Sequence, residues 1–103
     1  MIVDDIERLS HMVSSVKAYL EERYPRGYSI ETQTEFTPCH VRFEVKSPGG
    51  ERGPTLVLPG DFVEHNDAVQ RELDSRDVMG AMARAGRGRV IVPKFGPAVV
   101  EPE

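Results

Sequence analysis

The 103-residue chain holds one cysteine and no tryptophan, and it has no apolar run near the ~20 residues that cross a bilayer. With Cys39 alone there is no internal disulfide, and a reducing compartment fits, so the expected location is cytoplasmic. The start, Met1-Ile2-Val3-Asp4-Asp5, lacks the basic residues and apolar stretch of a secretory signal. An excess of basic charge is missing too. Lys and Arg number 13 against 17 Asp and Glu, a net charge of −4, which disfavours a dedicated nucleic-acid binder. No internal repeat or low-complexity tract is present. The length and an apolar share of 39% match one globular domain over residues 1–103 with a single modest core.

The residues that are present divide the chain by period. From residue 4 to 24, Ile6, Leu9, Val13, Val16 and Leu20 recur every three or four positions, widened by Met12 and Tyr19. That is the stripe of an amphipathic helix. Asp4 and Glu7 have the spacing of a capping box, and Pro25 with Gly27 ends the helix. The period then drops to two. Tyr28, Ile30, Thr32, Thr34 and Phe36 alternate with Ser29, Glu31, Gln33 and Glu35, and Val41, Phe43 and Val45 alternate with Arg42, Glu44 and Lys46. These are two strands of an antiparallel hairpin. A four-residue loop, Thr37 to His40, would set Glu35 opposite Arg42 and Glu31 opposite Lys46. A two-residue loop would set Glu31 against Glu44, so charge favours the longer loop.

Ser47 to Gly53 reads as a flexible connector. Thr55 to Leu58, bracketed by Pro54 and Pro59, reads as a short third strand at a sheet edge, because proline cannot donate to a ladder. Gly60-Asp61 opens helical territory, with Asp61 and Glu64 as a second capping pattern. Val69 and Leu73 continue it, and Val78, Met79, Met82 and Ala85 carry a further helical segment to Gly86. Whether Asp74-Ser75 kinks one helix or divides two is left open by the pattern. Arg89 to Val92 is a closing strand, and the proline-rich residues 94–103 are expected to be extended or loose. The order α-β-β-β-α-α-β defines an α+β fold: helices on one face of a small, mainly antiparallel sheet, with Glu31, Gln33, Glu35, Arg42, Glu44 and Lys46 on a solvated face. In element order the chain resembles type II KH-like domains. It departs from them in lacking a Gly-x-x-Gly loop between the paired helices and in having a strand around Val57.

Few residues have a spacing that demands chemistry. Cys39, His40, His65, His11, Asp61 and Glu64 include metal-binding types, yet no paired zinc spacing occurs, and adjacent Cys39 and His40 point to opposite faces of a strand. A half-buried Cys39 at the hairpin turn and a solvated His40 are the expected arrangement. Cys39 with His65 as its base would need two distant segments to meet, and nothing near Cys39 in sequence lowers its pKa. Glu64-His65-Asn66-Asp67 fans out around a helix instead of converging. Gly49-Gly50-Glu51-Arg52-Gly53 lacks the lysine and Ser/Thr of a phosphate loop, and its Glu51 repels phosphate. No catalytic, cofactor or metal site, and no small-molecule ligand, emerges.

One asymmetry remains. Asp61 to Asp77 carries six acids and two bases, whereas Val78 to Val100 carries Arg84, Arg87, Arg89 and Lys94 and no acid. Bases at a helix carboxyl end complement its dipole, and the two segments can attract each other within a monomer or across a homodimer. As a binding surface, Arg84, Arg87, Arg89 and Lys94 would receive an acidic protein partner. The expectation is a non-catalytic protein-interaction or regulatory module, alone or as a homo-oligomer, using Val78 to Phe95. The alternative is a KH-like nucleic-acid-binding domain using Arg84, Arg87 and Arg89, with few aromatic rings to stack bases.

Overall fold

A computed structural model describes residues 3–36, 39–62 and 68–103, without the side chains of residues 3–6 and Phe36. Helix α1 (Val3–Arg23) is followed by strands β1 (Ser29–Phe36), β2 (Cys39–Lys46) and β3 (Arg52–Pro59). Helices α2 (Val69–Ser75) and α3 (Val78–Ala85) come next, then strands β4 (Arg89–Ile91) and β5 (Val99–Glu101). The α+β class is the one expected. The side chain of the expected cap residue Asp4 is not among those described, and Glu64, His65, Asn66 and Asp67 lie outside the described residues.

The periodicities translate directly into burial. Met12, Val16, Tyr19 and Leu20 of α1 are buried, with Leu9 and Val13 packed at their margin. Val41, Phe43 and Val45 lie fully buried between the partly exposed Arg42, Glu44 and Lys46. Leu56 and Leu58 of β3, Val69 and Leu73 of α2, Val78, Ala81 and Met82 of α3, and Val90 of β4 belong to the same cluster, with Ile30, Phe62, Ala85 and Val92. The long helix ends as its sequence requires: Tyr24 N–H donates to the Leu20 carbonyl, Pro25 follows, and Gly27 takes a φ of +98°.

The hairpin register corrects the expected loop. Phe36 pairs with Cys39 and Glu31 with Glu44, so Cys39 and His40 belong to the strand. The connecting Thr37-Pro38 lies outside the described residues. The expected charge pairs form regardless, on the diagonal: Lys46 Nζ stands 3.1 Å from Glu31, and Arg42 Nη2 stands 3.4 Å from Glu35. Long side chains reach two residues along the ladder, so charge does not discriminate between the registers.

The third strand is an interior strand, not an edge. The sheet order is β1-β2-β3-β4-β5, with β4 parallel to β3 and every other pair antiparallel. The two prolines are accommodated locally. Between Glu44 and Lys46 the register slips, so that Gly53 and Pro54 oppose Val45 in a bulge, and Pro59 closes the strand. Both are positions at which a missing N–H costs the sheet little. The parallel β3–β4 pair is joined through α2 and α3, which lie on the side of the sheet that carries the core.

Two further expectations change. Gly60 and Asp61 form a turn and Phe62 a bend, and the helix that follows is described only from Val69. The division between α2 and α3 falls at Arg76-Asp77, where Asp77 adopts φ 52°, a left-handed conformation that Asp tolerates. Of the carboxyl-terminal residues, expected to be extended or loose, Val99–Glu101 are extended and form β5, which pairs along β4 from Arg89↔Glu101 to Ile91↔Val99. Gly88 makes this possible, because a Cβ there would collide with the Glu101 carbonyl.

Candidate functional site

With the helices on one side, alternate strand residues line an uncovered sheet face. The register sets Arg42, Val57, Ile91 and Val99 in one row, and Glu44, Thr55, Arg89 and Glu101 in the next. Glu31, Gln33, Arg42, Glu44, Arg52, Thr55 and Arg89 line one shallow hollow of about 180 Å3 on this face. Adjoining it, a more open hollow of about 250 Å3 is lined by Arg42, Arg52, Arg87, Arg89, Glu101 and Glu103, together with Gly88 and Pro102.

The four sequence-singled cations are therefore divided. Arg87 and Arg89 meet at the hollow. Arg84, on α3, pairs with Asp77 at 3.6 Å, and Lys94 donates to Asp61 Oδ2 at 3.0 Å. These two pairs join the basic segment to the acidic one within the chain. Both are solvent-exposed and each contributes at most about 1 kcal/mol.

Arg42 and Arg52 join the cluster without having been singled out. Arg42 lies on a strand face read as merely solvated, and Arg52 lies in a glycine-rich connector. Only the parallel docking of β4 beside β3 brings them to Arg89. At the hollow, Arg89 Nη2 donates to Glu101 Oε1 at 2.7 Å, and Arg42 Nη2 donates to Gln33 Oε1 at 2.7 Å. Arg52 and Arg87 have no carboxylate within ion-pair distance among the described residues. The hollow thus holds four guanidiniums and two carboxylates, and two of the cations have no acid partner among the described residues.

The remaining candidates do not assemble around this face. Cys39 is exposed, not half-buried, because the shorter connection places it at the strand end. His40 Nε2 stands 3.4 Å from Glu35, and His11 is exposed on α1. No group of three or more metal-ligating side chains occurs among the described residues. No helix among them is long and apolar enough to cross a membrane.

Elsewhere, Arg76 is an organising residue that charge patterning does not reveal. Its guanidinium donates to the carbonyls of Pro93 (2.9 Å), Lys94 (2.7 Å) and Gly96 (2.6 Å) and to Glu72 Oε1 (2.9 Å). It fastens the β4–β5 connection to the end of α2 and holds the 81% exposed Phe95 on a fixed loop. At the same end of α2, Tyr19 donates to Asp74 Oδ1 at 2.7 Å under the Arg23 guanidinium, 3.7 Å from the ring centroid. Burial and the adjoining carboxylate push the Tyr19 hydroxyl up to about 12. Comparison with known protein families, curated proteins and solved structures finds no match, so the functional reading rests on this arrangement of residues.

Proposed function

We propose that the chain is a non-catalytic protein-interaction or regulatory module that receives an acidic segment of a protein partner on its uncovered sheet face. The contact region is the end of that face formed by Arg87 and Arg89, joined by Arg42 and Arg52. The observation that carries the reading is the convergence of four arginines from β2, β3, β4 and the α3–β4 turn around one hollow. Two of them, Arg52 and Arg87, lack an acid partner among the described residues. Guanidinium groups suit this role because each presents a planar fork of donors matched to an oxyanion.

The test is fluorescence anisotropy with an Asp/Glu-rich peptide at low ionic strength, beside a single-stranded RNA of equal charge. The expected result is salt-sensitive peptide binding that weakens about tenfold or more when Arg52 and Arg87 are reversed to Glu, as charge-pair losses at interfaces do. Reversing Arg84 and Lys94 to Glu, away from the hollow, is expected to leave it nearly unchanged. Preferential capture of the RNA would replace this reading with the KH-like alternative.

A further inference from the structure

We infer that the hollow between Arg52 and Arg87 is a socket for one phosphoryl group, carried on a phosphorylated segment of a protein partner. The inference rests on the acidic-partner reading and specifies its chemistry. Arg42, Arg52, Arg87 and Arg89 face the hollow, and Glu101 and Glu103 are its acids. Arg89 is paired with Glu101 and Arg42 with Glu35, which leaves Arg52 and Arg87 with no carboxylate within ion-pair distance among the described residues. A single carboxylate matches one of these two guanidiniums, whereas a phosphate monoester, with a charge near −2 at neutral pH, can match both. Three acceptor oxygens on one phosphorus also suit donors that arrive from several strands around a single point.

The surroundings favour one phosphoryl group over a polyanion. Glu31 and Glu44 stand directly opposite each other on the adjoining part of the face, and Glu35 lies four residues farther along β1. They would repel the neighbouring phosphates of a nucleic-acid strand. Among the described residues the exposed aromatic rings, Phe95 and Tyr28, do not line either hollow, so neither is at hand to stack a base. An extended peptide presents one dianion and otherwise chosen side chains, and the half-exposed row of Val57, Ile91 and Val99 offers it apolar contact beside the arginines.

Three peptides identical but for one central residue, phosphoserine, glutamate or serine, distinguish the outcomes by anisotropy or calorimetry with the intact chain. Inorganic phosphate and a single-stranded RNA serve as the other probes. The expected order is phosphoserine tighter than glutamate by about tenfold or more, since bidentate guanidinium–phosphate bonds exceed those to one carboxylate. Serine and inorganic phosphate should bind far more weakly. Arg52→Gln with Arg87→Gln should erase the preference for phosphoserine while far-UV circular dichroism stays unchanged, because both side chains are on the surface. Equal affinity for phosphoserine and glutamate overturns the socket and leaves the acidic-partner reading standing. Failure of both peptides to bind overturns both. Inorganic phosphate binding as tightly as the phosphopeptide removes the peptide from the proposal, and RNA binding more tightly than the phosphopeptide rejects it.

Discussion

Tyr19 sits where α1 meets α2, buried to the ring, with its hydroxyl on Asp74 and a guanidinium over its face. Its ionisation in the folded chain is pushed from 10.0 up to about 12. A phenol whose folded value lies above its unfolded one contributes stability that is complete below pH 10 and is lost as pH rises toward 12. The two-unit gap corresponds to roughly 2 to 3 kcal/mol. Urea melts of the wild type should therefore weaken steeply over that window, and Tyr19→Phe should flatten the alkaline limb. At neutral pH the same substitution should cost about 1 to 2 kcal/mol for the lost bond to a charged acceptor. Ultraviolet titration should show one of the three tyrosines ionising last. Arg76 presents a second case. Arg76→Leu removes three carbonyl contacts and strands Glu72, and should destabilise by about 2 to 4 kcal/mol. The matching signature is faster amide exchange over residues 93–97 than over β2. Neither role shows in the sequence, where Arg76 is one base among acids and Tyr19 one more member of an apolar stripe. Their partners lie 55 and 17 to 20 residues away.

At the scale of elements, the carboxyl-terminal hairpin is the most exposed to a single change. Gly88 lies under the Glu101 carbonyl, so Gly88→Ala must push β5 off β4. The expected loss is about 1 to 3 kcal/mol by overpacking, with amide protection lost at Val99 to Glu101 and kept in β1 to β3. Removing residues 97–103 should destabilise comparably, because α3 and β4 both pack on β5. An unaffected melting temperature would mean that the strand is dispensable. This hairpin is also where the sequence is least readable. Pro93, Pro97 and Pro102 mark an irregular segment, but three residues with an upstream glycine can still find a neighbouring edge. The opposite holds for α1, β1 and β2, whose 3.6- and two-residue periods are long enough to define both type and buried face. Pro54 misleads about β3 for a specific reason: a bulge tolerates proline as well as an edge does, and the bulge depends on Val45, nine residues earlier in the chain.

At the scale of the whole molecule, one cluster of buried side chains runs from Met12 in α1 to Val92 beyond β4. Far-UV circular dichroism and tyrosine fluorescence should therefore report coincident urea transitions, as a single cooperative unit does. Two separated transitions would divide the chain in two. The location of the core was legible in the sequence; the arginine hollow was not. Alternation places Arg42 and Arg89 on polar faces, but their proximity depends on which strand β4 joins and in which direction. That pairing spans more than thirty positions, from Thr55↔Arg89 to Val57↔Ile91, and no local pattern encodes it. The same pairing bears on how the chain is made. During synthesis the first three strands emerge well before β4, so β3 must wait as a temporary border with Leu56 and Val57 unpaired on one side. Pro54 and Pro59, at its two ends, shorten the stretch that a passing nascent chain can grip, guarding against intermolecular pairing until the final strands arrive.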